Sequence, residues 1–379
     1  MAERVVLHLG APKSGTTYLQ SVIWNSRQRL YDAGVLVPGT RRFDHTRAAS
    51  AVCSPRPEHV RPRSRYAVWD RFVRSAAEWP GTVLVSDEWF VAATAEQAAR
   101  ALDDLAGAEV HLVVTARDFV RQVPAAWQEE LKLGNASSMT QFVVGLDDSA
   151  RKWSWATLDA AEVLTRWAGS LPADRVHVVV VPPAGAPRDL LWHRFATACR
   201  IDPALGSADV VQANESLGVE AARLLQELGP SLRDAVEADH AHWAGQYRWL
   251  RRYLGHDLLV PLGGDKIGLD RETIDLVRHR TRASTKAISA AGWDVVGDLD
   301  ELAQATFSES LRHPDSVTAE EMLEVAEELI PKLLGRVRTQ TLRAEALQAA
   351  LADAQRPAPR LAAVHRVLRR LRRVLPRNG

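Results

Sequence analysis

The chain has 379 residues, 46% of them apolar and 25% charged, with a net charge of +1. An apolar share of that size buries a full core and excludes a mostly disordered chain, and no apolar run approaches the roughly 18–20 residues of a membrane span. The charge is unevenly spread: residues 356–379 hold eight Arg and no acid, which leaves the rest of the chain at −7 and argues against broad nucleic-acid binding.

Cys53 and Cys199 are the only cysteines, too few for a disulfide framework or a cysteine-based metal site. The first fifteen residues carry no signal-peptide pattern, so the expected location is cytoplasmic. Arg outnumbers Lys 42 to 6, which makes each Lys position informative.

In chain order, residues 4–10 (RVVLHLG) predict a strand bounded by Gly. Leu19, Val22, Ile23 and Leu30 recur at helical spacing, predicting a helix over 16–30. Residues 35–37 form a short strand closed by Pro38-Gly39, and 82–86, 110–115 and 175–181 are further strands. These runs are continuous and apolar, as in a parallel sheet covered on both faces, and helices at 95–106 and 156–168 supply crossovers. The expected fold is α/β, a doubly wound, mainly parallel sheet of about five strands like that of P-loop NTPases.

After Asn214 the strand signal largely disappears. The segment 214–218 (NESLG) reads as a capped helix entry, and 219–228 and 270–290 read as helices. Thr318-x-x-Glu321 is a capping box opening another helix, with interruptions expected at Pro331 and Gly335. The stretch 336–355 is too irregular for a coiled coil. The expected division is a core over 1–215, a helical extension over 216–355 that contributes to an acceptor pocket, and a basic amphipathic tail over 356–379. In that tail Leu361, Val364, Val367, Leu368, Leu371, Val374 and Leu375 alternate with Arg, a pattern suited to weak contact with anionic lipid or to docking on the acidic body.

The chemistry is concentrated in Gly10-Ala-Pro-Lys-Ser-Gly-Thr-Thr17, between the first strand and the first helix, where backbone amides and a helix N-terminus face an anion. Gly10 and Gly15 have the spacing of a Walker A loop, but Thr16 stands where an NTPase has its Lys; the lysine is Lys13, inside the loop. Pro12-Lys-Ser-Gly-Thr-Thr-Tyr18 resembles the 5′-phosphosulfate loop of sulfotransferases that use 3′-phosphoadenosine 5′-phosphosulfate (PAPS). The resemblance covers roughly residues 4–200. It implies PAPS as sulfuryl donor with no metal, Lys13 steadying the bridging oxygen, and Pro12, Lys13, Ser14, Gly15, Thr16 and Thr17 holding the 5′-phosphate.

In that family an Arg at a strand end and a Ser eight residues later bind the 3′-phosphate. Arg117 matches the first, but Ala125 stands at the second position and has no hydroxyl, so Arg121 or Gln122 is left to compensate. Transfer to a hydroxyl or amine needs a general base. Glu88, in Ser86-Asp87-Glu88-Trp89, is the first candidate, Asp87 the second, and His45 beside Asp44 a competing one. Each of these acids also suits a helix cap, and a His beside Asp suits a surface pair. Trp89, Trp127, Trp153 and Trp155 flank these segments and serve either for core packing or for stacking on adenine or a sugar. The acceptor class stays open among small molecules, carbohydrates and lipids. Two alternatives stand beside the sulfotransferase reading: a P-loop kinase or NTPase using Asp87 for magnesium, and a non-catalytic nucleotide-binding protein.

Overall fold

The computed structural model describes all residues except 58, 60, 62, 63, 170, 208–215, 238–241, 305–310, 356–365 and 371–379. Six short strands form one sheet: β1 (Arg4–His8), β2 (Val35–Leu36), β3 (Thr82–Ser86), β4 (Glu109–Ala116), β5 (Val176–Val180) and β6 (Asp294–Val296). Their order is β2-β3-β1-β4-β5-β6, and every pairing is parallel. The expected α/β class with a mainly parallel sheet is therefore what the chain adopts.

Both faces of the sheet are buried, which is why its strands are continuously apolar. Alternation along each strand sends Val5, Leu7, Val83, Val85, Leu112 and Val114 to one side. Val6, Leu84, Val113 and Val179 go to the other, against Leu19, Val22, Ile23, Trp192 and Phe195 of the helices Thr16–Asn25 and Leu190–Ala198.

The sheet has a sixth strand beyond the five expected from the sequence. Asp294–Val296 is only three residues long, too short for a periodicity signal, and pairs with β5 in the register His177↔Asp294. A polar row stitches this edge: Glu109 to His111 at 2.7 Å, His111 to His177 at 2.8 Å, and His177 to Asp294 at 2.7 Å.

Four helix predictions are corrected. The helix over 219–228 runs on through Gly229 and Pro230 to Glu237. The helix over 16–30 divides at Ser26 into Thr16–Asn25 and Arg27–Asp32. The helix over 156–168 divides at Asp159, whose carboxylate accepts from Ala161 N and Ser284 Oγ and pairs with Arg280. In the other direction, Ala319–Gln355 runs unbroken through Pro331 and Gly335, opened by the expected Thr318–Glu321 capping box. One missing N–H and one flexible residue do not stop a helix of 37 residues whose remaining bonds are intact.

The chain divides into two compact units, Met1–Met322 and Leu323–Gly379. The first contains the whole sheet and the helices Val219–Glu237 and Arg271–Ala291. Asn214 and Glu215 lie outside the described residues, as does the basic tail apart from a helical stretch at 366–370. Among the described residues no helix is long and apolar enough to cross a membrane.

Candidate functional site

Strand order brings the site together. β1 lies between β3 and β4, so the segments leaving the carboxyl ends of these three strands are neighbours at one edge of the sheet, where the connections change direction. They are the loop around Lys13, the Asp87-Glu88 turn and the Arg117 segment.

The loop is held from below. Gly10 and Gly15 have φ of 45° and 86°, and Lys13 itself sits at φ 65°, in the left-handed region that costs an ordinary residue roughly 1–2 kcal/mol. A side chain at Gly10 would meet Thr16 Cγ2 at 2.5 Å and His8 Nε2 at 3.2 Å. Three successive carbonyls are tied down by neighbouring side chains. Ser14 Oγ donates to Ala11 O and meets Thr115 of β4; Gln122 Nε2 donates to Pro12 O at 2.8 Å; Arg117 Nη1 donates to Lys13 O at 2.7 Å. Backbone so fixed turns its carbonyls into the protein, the arrangement in which loop amides face an anion. Ser14 spends its hydroxyl inside the fold, Thr16 is buried and Thr17 is half-buried.

Lys13 Nζ reaches Glu129 Oε1 at 3.1 Å. Glu129 lies on the helix Phe119–Leu131, one turn beyond Ala125, and its side chain is 7% exposed. Lys132 Nζ meets the same oxygen at 3.3 Å, and Arg251 Nε meets the other at 2.7 Å. Burial opposes the charged form of Glu129, but Lys13, Lys132 and Arg251 outweigh it and hold the carboxyl well below the usual carboxylate range. Burial lowers Lys132, whose side chain is 1% exposed, and Glu129 partly restores it. Glu129 is not among the site residues expected from the sequence. Its one local signal is Lys132, three residues on, one of six Lys in a chain with 42 Arg.

Arg117 follows β4. Burial, then Arg121, pull its pKa down to about 10, so it stays charged at neutral pH, and its buried Nε has no hydrogen-bond partner among the described residues. Arg121 pairs with Asp118 and donates to Pro182 O at 3.2 Å. Gln122 is committed to Pro12 and to Leu158 O.

The candidate bases differ sharply in their surroundings. Glu88 accepts from Gln20 Nε2 at 2.9 Å, and Gln20 Oε1 accepts from Arg42 Nε at 2.9 Å, which ties the turn after β3 to the helix after the loop. Asp87 is buried, caps the Glu88–Ala92 turn through Trp89 N, and accepts from Thr46 Oγ1 at 2.7 Å. Burial and the neighbouring Glu88 push its pKa up to about 7. His45 is buried, with Nε2 2.9 Å from Pro38 O and Nδ1 accepting from Ser86 N at 3.0 Å. Both ring nitrogens serve the backbone, and burial pushes the imidazole down to about 4, so His45 is neutral. His8, beneath Gly10, is likewise buried and pushed down to about 3.

Trp127 and Trp155 are buried in the core. Trp89 is half-buried, with Trp153 edge-on at 6.1 Å between ring centroids and Lys152 Nζ 4.4 Å above its ring. Lys152 lies within electrostatic reach of Glu88, Glu129, Glu130 and Arg251, so the turn after β3 and the Glu129 cluster border one region. Among the described residues no group of His, Cys, Asp and Glu is arranged to hold a metal ion.

No family model matches this sequence, and no curated protein matches it. A solved sulfotransferase from Alicyclobacillus acidocaldarius aligns with it in structure at 12% identity and a TM-score of 0.36, over 66% of this chain and 96% of that one. The functional reading therefore rests on the residues of this chain.

Proposed function

We propose that the protein is a PAPS-dependent sulfotransferase acting on a hydroxyl or amine. The observation that carries this reading is Lys13: a lysine in left-handed backbone, inside a strand–loop–helix turn at the carboxyl edge of a parallel sheet, its own carbonyl clamped by Arg117 from the adjacent strand. That conformation is unfavourable for lysine unless something is gained by aiming the side chain. A loop that holds phosphate by its amides alone would have taken Gly or Asn there. The buried, unpartnered Nε of Arg117 fits an anionic group beyond β4, in keeping with the 3′-phosphate of the donor.

In this reading the loop amides and Thr17 hold the 5′-phosphate, and Arg117 with Arg121 accounts for the 3′-phosphate. The acceptor oxygen attacks sulfur in line, the bond from sulfur to the bridging phosphate oxygen breaks, and Lys13 stabilises the charge left on that oxygen. Glu88 takes the acceptor proton; buried Asp87 beneath it and His45 act as positioning residues. Lys13 leaves Glu129 to do this, and Glu129 keeps Lys132 and Arg251, so no buried carboxylate is stranded.

The test is transfer of sulfur-35 from labelled PAPS to an extract of the host cell. Wild type incorporates label, and Lys13→Ala loses at least about tenfold, equivalent to ~1.4 kcal/mol of barrier. Equal incorporation by the two proteins removes Lys13 from the reaction.

A further inference from the structure

Three of the six lysines in the chain, Lys13, Lys132 and Lys152, gather around Glu129 and Glu130. Arg251 joins them on Glu129 at 2.7 Å, Arg151 approaches Glu130 at 4.0 Å, and Arg233 is also within electrostatic reach of Glu130. Six cations thus face three carboxylates, Glu129, Glu130 and the neighbouring Glu88. Lys13 is at one corner, where the loop begins; Lys152, stacked on Trp89 next to Glu88, is at another. The cation excess therefore extends from the donor loop towards the candidate base, away from Arg117.

The donor does not account for this. A bound phosphosulfate takes Lys13 and the loop, and it brings negative charge that repels an anionic acceptor across a partly dry region. A neutral acceptor needs no cations beside the base. An anionic one does, and an excess of positive charge in a half-buried region is costly unless an anion completes it. Arg251 is suited to gripping such an anion, because it lies on the π-helical segment Gln246–Leu259, stacks on Tyr247 at 5.0 Å and has a side chain 25% exposed.

We infer that the surface bounded by Arg251, Lys152 and Trp89 is the acceptor subsite and that it selects an acceptor carrying an anionic group. The inference deepens the sulfotransferase reading and rests on it for the word acceptor, but the anion site itself is testable without it. Lys152 and Arg251 grip the negative group, Trp89, backed by buried Trp153, supplies an apolar wall, and the hydroxyl or amine is presented between Glu88 and Lys13.

The probe is inorganic sulfate, compared with chloride at matched ionic strength, on protein saturated with adenosine 3′,5′-bisphosphate so that the nucleotide site is filled. Sulfate is expected to raise the unfolding midpoint further and saturably in wild type, and Arg251→Gln and Lys152→Gln are each expected to remove at least half of that rise. A second arm offers labelled PAPS with hydroxyl acceptors supplied in pairs, as the carboxylate and as its methyl ester. The carboxylate is expected to have at least tenfold higher kcat/KM, with the ratio falling towards one in Arg251→Gln. No added rise in wild type, a rise that survives in both variants, or esters that serve as well as acids overturns the inference. Should the bisphosphate fail to stabilise the protein, the donor reading falls, and the sulfate titration is repeated without it. There, loss in Arg251→Gln but not in Arg117→Gln upholds the anion site; the reverse abolishes it.

Discussion

Two carboxylates in this region have opposite electrostatic characters, and pH separates them. Glu129 is held ionised by three cations, so its folded pKa lies below its unfolded one. Its stabilising contribution is complete above the unfolded value and is lost as pH falls through the carboxylate range. Replacing it by Gln leaves buried Lys132 and half-buried Arg251 beside a neutral amide and is expected to cost about 3 kcal/mol at neutral pH, read from urea denaturation, with the cost shrinking in acid. Asp87 is the reverse case. Burial and Glu88 raise it to about 7, so folding is favoured while it is protonated, and that advantage is lost as pH rises from about 4 to about 7. Asp87→Asn is expected to gain stability relative to wild type across that interval, and a constant difference between the two proteins would show that Asp87 does not titrate there. Neither behaviour was legible in the sequence, where Asp87 also suited a helix cap and Glu129 carried no signal of its own.

At the level of the element, the turn after β1 depends on its glycines. Gly15 has φ of 86°, and an added Cβ would lie 2.5 Å from Leu191 Cδ2. Gly15→Ala is expected to destabilise the protein by about 1–2 kcal/mol and to weaken adenosine 3′,5′-bisphosphate binding, since the start of the helix Thr16–Asn25 must shift. A midpoint and an affinity equal to wild type would mean that the loop tolerates a side chain there. The division at Asp159 is a similar case of tertiary demand overriding local periodicity. The apolar pattern of residues 156–168 suits one helix, yet Asp159 breaks it to accept from Ser284 Oγ at 2.6 Å and Arg280 Nε at 2.8 Å, on the helix Arg271–Ala291. Partners 121 and 125 residues away leave no trace in a local window.

At the level of the whole molecule, the sheet is closed at one edge by a strand near residue 295. A fragment ending at residue 215 would lack β6 and expose the β5 edge together with His177, whereas Met1–Met322 is one compact unit. The 1–322 fragment is expected to unfold cooperatively on heating and the 1–215 fragment to aggregate or to lack a sharp transition, as followed by circular dichroism. If the shorter fragment melts as sharply as the longer, residues 216–322 are an appendage and not part of the core. Composition, runs of buried strand residues and the turn chemistry of residues 10–17 were enough to determine the α/β class and to single out Lys13, because each is a local property of the chain, while Arg117 was singled out by the resemblance to the sulfotransferase pattern. Glu129 beside Lys13, Gln122 under Pro12, the commitment of both His45 nitrogens to backbone and the addition of β6 came only with the tertiary structure. Each depends on which distant segment supplies the partner group, and strand order, which no single stretch of sequence encodes, decides that.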